Sequence, residues 1–452
     1  FDGAGHSIKN LVLNSRTNSV LNVGLFRTVY TNGVIKNLNI DKSCKFDIYR
    51  NFGSFASTLY GTIENCRNYA DIPTTNGFAG GIAYITYGTD AKIINCYNEG
   101  NITSSTKDGY MGGITYSNEG TIENCQNNGN VITTVASTKT VAGIAAINKG
   151  SITNVINTGN IKAATEVGGI VSDSKAGSTI NYALSLGQVD AFTSRDALGG
   201  IVGKDAGAKF TNVYYDNQIV MYANSMDGIT GLPTASLTAD AFTMGSEAWT
   251  KSANRYPMLK TFANEAAAQL ASMPVWFAEG MRCDQLTANG TLATASGLTW
   301  TVSNSPSFNI NGDKLVVTNT ETFNTAELTS AYEGSTRTIT VAALANLFTG
   351  SGTETDPYLI ESINDLKKLA DDIAASNLEY GGKYFKVTKD IDATGVAFEP
   401  IATMAEFKGI FDGNNKTISN IKITTAVDGT GLFGRVGAGG VIKNLTIDAK
   451  SS

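Results

Sequence analysis

The stretch GGITYSNEGTIENCQNNGNVITT, Gly112 to Thr134, holds the pattern on which the fold turns. It contains a Gly-Gly-aliphatic strand, a turn, an Ile-x-Asn-apolar strand and a second turn. Its apolar residues alternate in ITY, TIENC and NVIT with the period of two expected of strands. Working outward, the setting of Asn124 recurs as SIKNLVL around Asn10, VIKNLNI around Asn37, TIENCRN around Asn65 and KIINCYN around Asn95. It continues as SITNVIN around Asn154, TINYALS around Asn181 and FTNVYYD around Asn212. The steps between these asparagines are 27, 28, 30, 29, 30, 27 and 31 residues. A glycine signature runs in phase with them, at Gly24, Gly53, Gly81, Gly113, Gly143, Gly169 and Gly200.

A fixed period in this range marks a solenoid. One coil alone buries too little to offset the entropy of ordering it, whereas stacking covers both of its open faces. The expected fold class is therefore mainly β: a right-handed parallel β-helix with coils of about 29 residues. The recurring asparagine is expected to turn the coil corner and to pass amide hydrogen bonds from one rung to the next. The glycines are expected to allow bends and close backbone approach.

The 452 residues carry 16% charged side chains and a net charge of −6. No basic stripe exists to neutralise phosphates, which argues against nucleic-acid binding. No run of about 18 apolar residues is present, so no membrane-spanning helix is expected. The sequence opens inside a repeat at Phe1, with neither an initiator Met nor a signal peptide, as a processed or cropped product would. Forty-eight glycines and seven prolines suit many short strands joined by tight turns. Cys66, Cys96 and Cys125 share one repeat position, Cys44 lies in a loop and Cys283 elsewhere. Stacked rungs would hold the first three about 4.8 Å apart and parallel, a buried thiol stack rather than a disulfide or zinc framework.

FDGAGHSIKNL at Phe1–Leu11 and FDGNNKTISNI at Phe411–Ile421 resemble the opening of GLUG-repeat proteins. GLFG at Gly431–Gly434 and GGIVG at Gly199–Gly203 resemble the motif that names those repeats. The resemblance covers residues 1–262 and 349–452. It implies a large secreted or surface-anchored bacterial protein of adhesin type. Residues 1–262 are read as a GLUG-repeat β-helix with a closing segment, in which Leu232–Phe242 turns, Trp249 covers the last coil and Tyr256–Leu259 forms a final strand. Residues 263–348 look like a bacterial immunoglobulin-like sandwich with Trp300 and Ile339 in its core, a spacer domain. Residues 349–452 are read as the capped start of a second β-helix. There Ser362 and Asp365 form a capping box, Leu366, Leu369, Ala370 and Ile373 make the apolar helix face, and Phe411 corresponds to Phe1.

Candidate chemistry is sparse. His6 is the only histidine and sits in the FDG-x-G-H turn, where no nucleophilic triad assembles around it. Glu64 and Glu123 occupy matching positions with Ile94 between them, so a rung separates the two carboxylates. Asp390 and Asp392 give a weak calcium signal; no other cofactor, no metal centre and no catalytic residue is indicated. Tyr84 and Tyr116 follow the Gly-Ile pair on neighbouring coils, with Tyr69 and Tyr97 nearby. Stacked tyrosines offer a flat face to sugar rings, and they also pack well on one another. The expectation is a non-enzymatic, extracellular, cell-surface adhesive or structural rod whose partner is a host or matrix protein or a glycan. The alternative is a carbohydrate-binding module, and a β-helical polysaccharide-degrading enzyme stands third. The open coil at Phe1 and the end after Leu445 also suggest head-to-tail self-association.

Overall fold

The computed structural model describes residues 1–15, 22–74, 77–105, 109–135, 140–194, 197–220, 226–276, 282–283, 286, 291–294, 298–303, 307–311, 314–317, 324–343, 348–350, 352–376, 380–403, 405–423, 431–448 and 451. The chain is mainly β, and its longest part is a parallel β-solenoid. Twelve strands of one sheet come from successive coils, ending in Thr121–Asn127, Ser151–Asn157, Thr179–Ser185, Lys209–Asp216 and Ile229–Leu232. Three further parallel sheets of seven, six and seven strands complete the walls. The register stacks like on like: Ile35, Ile63, Ile93, Ile122, Ile152 and Ile180 form one column, at most 2% exposed. Burying each isoleucine contributes about 1.5–3 kcal/mol, so this apolar column is a main source of cohesion between coils.

The corner asparagines have the backbone conformation their spacing suggests. Asn10, Asn37, Asn65, Asn95, Asn124, Asn154 and Asn212 all lie at φ between 50° and 55°, a left-handed turn that Asn tolerates better than most residues. The seventh coil departs from the expected phase. Thr153 pairs with Asn181, and the positive φ of 53° falls on Tyr182. Asn181 is therefore a strand residue, one place ahead of the corner.

The amide ladder also stands elsewhere. Asn65 Nδ2 does donate to Asn37 Oδ1 at 2.6 Å, but Oδ1 of Asn95 and of Asn124 is buried with no partner. Three residues beyond the corner, Asn68, Asn98, Asn127 and Asn157 are fully buried and in register. The Nδ2 of each of the first three donates to the next Oδ1 at 2.8 Å, and all four donate to the carbonyl two residues on, of Ala70, Gly100, Gly129 and Gly159 respectively. In-register strand residues set their side chains side by side on one face of the sheet, where buried amides can bond from rung to rung. A second amide column runs from Thr86 Oγ1 to Asn118 Oδ1 and from Asn118 Nδ2 to Asn148 Oδ1, both at 2.9 Å.

This ladder explains the glycines. A Cβ added at Gly113 would fall 2.1 Å from Gly143 O and 2.3 Å from Asn127 Cγ; at Gly143 it would fall 2.2 Å from Gly169 O and 2.3 Å from Asn157 Cγ. The two sequence signatures thus touch across the coil, and glycine stands where the amide column leaves no room. Cys66, Cys96 and Cys125 are buried free thiols, as the stack reading expects. Val155, Ala183 and Val213 continue their column. Hydrogen bonding to Cys96 and burial push the Cys66 thiol up, and burial does the same to Cys96.

The closing segment does not plug the end of the solenoid. Trp249–Thr250 pairs antiparallel with Met258–Leu259, and Trp249 Nε1 donates to Asn154 Oδ1 at 3.1 Å, two coils before the last long strand, Lys209–Asp216. Phe262 packs on Tyr97 with ring centroids 5.3 Å apart, and Glu265 pairs with Arg67 at 2.8 Å. The segment therefore runs back along the outer face of the long sheet. The cause is an outward apolar row, Tyr97, Ile156 and Leu184, which needs cover. Within the expected strand Tyr256–Leu259, Met258–Leu259 is a strand, paired with Trp249–Thr250; the expected place of Trp249 over the last coil is corrected. Leu232–Phe242 includes a short helix, Thr234–Thr238.

Residues 275–343 form antiparallel strands in a four-stranded and a three-stranded sheet. Ile339 is buried in their shared core and Trp300 packs against it. Of the alternating stretches that suggest the sandwich strands, LTWTVSNSP from Leu298, FNINGDKLVVT from Phe308 and STRTITVAAL from Ser335, residues 304–306, 312–313, 318 and 344 lie outside the described residues. The edge strand Ser335–Ala343 rests on the solenoid flank. Gln188 exchanges two 2.8 Å hydrogen bonds with the Thr340 backbone, and Asn160 Nδ2 donates to Thr338 O at 2.9 Å. Side-chain amides thus satisfy an edge that would otherwise be free to pair.

In 348–451, Tyr358–Ile360, Tyr384–Val387, Ile410–Ser419 and Val441–Ile447 stack in parallel. At the start of the helix Ile363–Ser376 the expected pair meets: the Asp365 N–H donates to Ser362 Oγ at 3.4 Å, and Ser362 Oγ and the Glu361 N–H donate to Asp365 Oδ2 at 2.9 Å. Leu366, Leu369, Ala370 and Ile373 are buried.

Candidate functional site

The exterior of the coils is where the distinctive side chains gather. Ala83 pairs with Thr115 and Ile85 with Ser117, which sets Tyr84 beside Tyr116. Their rings stack with centroids 5.1 Å apart and planes 12° apart. On the adjoining sheet Phe78 pairs with Tyr110, with ring centroids 5.3 Å apart. Tyr116 meets both edge-on, at 6.0 Å and 5.6 Å. The Gly-Gly corner lets the two strands of a coil meet closely enough for four rings to form one half-buried patch.

Arg50 completes it. Its guanidinium lies 4.7 Å above the Phe78 ring, a favourable cation–π contact. Its Nε is buried without a hydrogen-bond partner, and no salt bridge to Arg50 occurs among the described residues. Nor do the hydroxyls of Tyr84, Tyr110 and Tyr116 find a protein partner among them. Burial, followed by the neighbouring Tyr116, pushes the Tyr84 hydroxyl up to about 12, so it is a proton donor at any physiological pH.

The other two expected tyrosines have a different fate. Tyr97 is fully buried beneath the closing segment; its hydroxyl donates to Glu99 at 3.2 Å and accepts from Asn128 Nδ2 at 3.0 Å. Tyr69 lies next to it at 6.1 Å and reaches Glu265 at 3.4 Å. These two rings form part of the contact with the closing segment and do not join Tyr84 and Tyr116. Sequence reasoning missed Arg50, Phe78 and Tyr110. It also missed a corner ladder in which Tyr30 stacks on Tyr60 at 6.1 Å and Tyr60 meets Tyr87 at 5.4 Å. The signal was available: RTVY, STLY and YITY each end a strand in the same phase.

The acidic candidates have local roles. Ile94 pairs with both Glu64 and Glu123, which places the carboxylates two rungs apart. Asp390 Oδ1 accepts the Thr417 N–H, and Asp392 Oδ1 accepts from Thr394 and Asn420. His6 is exposed, its N–H bonded to Gly3 O in the turn. Among the described residues no three His, Cys, Asp or Glu side chains gather as metal ligands, and no helix is long and apolar enough to cross a membrane.

No family model matches the chain. It is 29% identical over 336 residues to halomucin of Haloquadratum walsbyi, a match covering 59% of this chain and 4% of halomucin. It is 34% identical over 107 residues to a protein of Evansella cellulosilytica provisionally named a Gly-rich membrane protein, covering 22% of this chain and 12% of that one. The chain thus spans a small fraction of either relative. A crystal structure from Bacteroides ovatus, provisionally named an immunoglobulin A1 protease, aligns over 58% of this chain and 77% of its own, with 20% identity and a TM-score of 0.38.

Proposed function

We propose that the chain is a segment of a secreted or surface-displayed protein in which the solenoid serves as a non-catalytic, adhesive and structural rod. The observation that carries this reading is the interior. Successive coils stand in one register, with apolar, thiol and amide columns that run from coil to coil. Such an interior builds length and stiffness and leaves the outer rows for recognition. The two relatives, halomucin and a protein provisionally named a Gly-rich membrane protein, agree with a surface or structural role. Within this reading, residues 263–348 act as an immunoglobulin-like domain docked on the rod, and 349–452 open a second GLUG-type solenoid. Surface labelling of intact source cells with antibody to residues 1–262, together with competition of cell attachment by the purified chain, tests it. Surface labelling and competition are expected; an exclusively cytosolic protein, or polysaccharide turnover by the purified chain, would overturn it.

A second reading is favoured by one feature. The Tyr84–Tyr116 stack lies on the outside of the rod with hydroxyls that have no partner among the described residues, an arrangement suited to binding a glycan. Tyr84→Ala with Tyr116→Ala abolishes glycan-array binding under this reading, and leaves it unchanged if the stack serves packing alone.

A further inference from the structure

The aromatic patch carries a charge that the glycan reading alone does not use. We propose that it takes an anionic polysaccharide, with Arg50 reading the carboxylate or sulfate and the tyrosine rings supporting the sugars. This inference rests on the glycan reading.

Three observations converge on it. First, Arg50 is held over Phe78 with a buried, unpartnered Nε and no salt bridge among the described residues. The Nε itself is shielded, so an acidic ligand would meet the terminal nitrogens of this half-buried side chain and pair a guanidinium that no carboxylate among the described residues neutralises. Guanidinium is also the cation whose planar fork fits carboxylate and sulfate oxygens. Second, the rings beside it present three hydroxyls with no partner among the described residues, and Tyr84 stays protonated. They add hydrogen-bond donors next to a flat apolar surface, the combination that sugar rings require. Third, charge is graded along the rod. On the Tyr84 side the register leads back through Ser57 to exposed Arg27. On the Tyr110 side it leads forward through Thr140 to Glu166, whose Oε2 accepts the Thr140 hydroxyl at 2.7 Å. The cations lie at one end of the patch and the carboxylate at the other, which orients an acidic chain with its charge toward Arg50. Because the whole chain carries a net charge of −6, general electrostatic attraction of polyanions does not account for such binding.

The test uses the full 452-residue chain against two matched pairs: polygalacturonate with its methyl ester, and dextran sulfate with dextran. Binding is read by biolayer interferometry for wild type, Arg50→Gln, Tyr84→Ala/Tyr116→Ala, and Lys92→Gln as a charge control on another face. Melting curves of each variant establish that it is folded, and Tyr84→Phe/Tyr116→Phe keeps the stack while removing hydroxyls. The expected result is binding to at least one acidic member, at least about tenfold weaker for its neutral mate and for Arg50→Gln. The tyrosine double mutant loses binding and Lys92→Gln keeps it. Equal binding of acidic and neutral members with Arg50→Gln unchanged overturns the anionic assignment and leaves the glycan reading standing. Equal weakening by Arg50→Gln and Lys92→Gln also overturns it. No binding to any of the four polymers, or binding that ignores both tyrosines, overturns the glycan reading and this inference together.

Discussion

Two asparagine columns run through the solenoid three residues apart, and they do opposite work. The corner column uses the backbone: φ near 50° turns the chain at each asparagine, while the side-chain oxygens of Asn95 and Asn124 make no bond. The ladder column, Asn68 to Asn157, uses the side chain: each buried amide links its neighbours at 2.8 Å and satisfies a turn carbonyl. One residue type therefore serves a conformational role at one site and a hydrogen-bonding role at the other. The distinction predicts different tolerances to the same substitution.

The largest expected effect comes from the glycine that the ladder presses on. Gly113→Ala places a Cβ against Gly143 O and Asn127, and overpacking of this kind destabilises by about 3 kcal/mol or more. Loss of amide exchange protection in the neighbouring coils would register it; a silent substitution would remove the proposed link between the glycine and ladder signatures. Asn127→Ala comes next, at about 2–4 kcal/mol, because it strands the Asn98 donor and the Gly129 carbonyl in a buried site. Asn124→Ala is smaller, about 1 kcal/mol, the usual price of a left-handed turn without Asn or Gly. Asn124→Gly restores that conformation and stays within about 0.5 kcal/mol of wild type, whereas Asn127→Gly rescues nothing.

The columns contain no acid or base, which yields a further contrast with the 348–451 unit. Burial there raises the Asp372 carboxyl from 3.8 to about 7, against the opposing hydrogen bond from the Tyr380 hydroxyl at 2.8 Å. A raised carboxyl favours the protonated folded state, so its contribution is full below pH 3.8 and is lost as pH rises toward about 7. Melting of this unit therefore falls across that window, and Asp372→Asn flattens the fall. A fall that persists unchanged in Asp372→Asn would assign it to another group.

The period and the corner were legible because a left-handed turn favours Asn at a fixed place, and all but one of the eight corners have it. The ladder was not, since Asn68, Asn98, Asn127 and Asn157 look in sequence like ordinary polar strand residues beside a turn. Only the register shows that they face inward. The phase slip at Asn181 arose the same way: Tyr182 occupies the corner and an asparagine happens to precede it. Trp249 and Tyr97 show a second limit. Each reads as a capping or exposed aromatic until the fold brings a distant segment over the long sheet. Tyr84 and Tyr116 were found because they repeat in phase. Arg50 was not, because it occurs once and its meaning comes from the rings of the following coil.

The most direct measurement is native-state hydrogen exchange on the strand Thr121–Asn127 in Asn127→Ala and Asn124→Ala, each compared with wild type. The account predicts a loss of opening free energy larger in Asn127→Ala by at least about 1 kcal/mol. Equal losses, or a larger loss in Asn124→Ala, would contradict the claim that the buried amide ladder, and not the recurring corner, holds the coils in register.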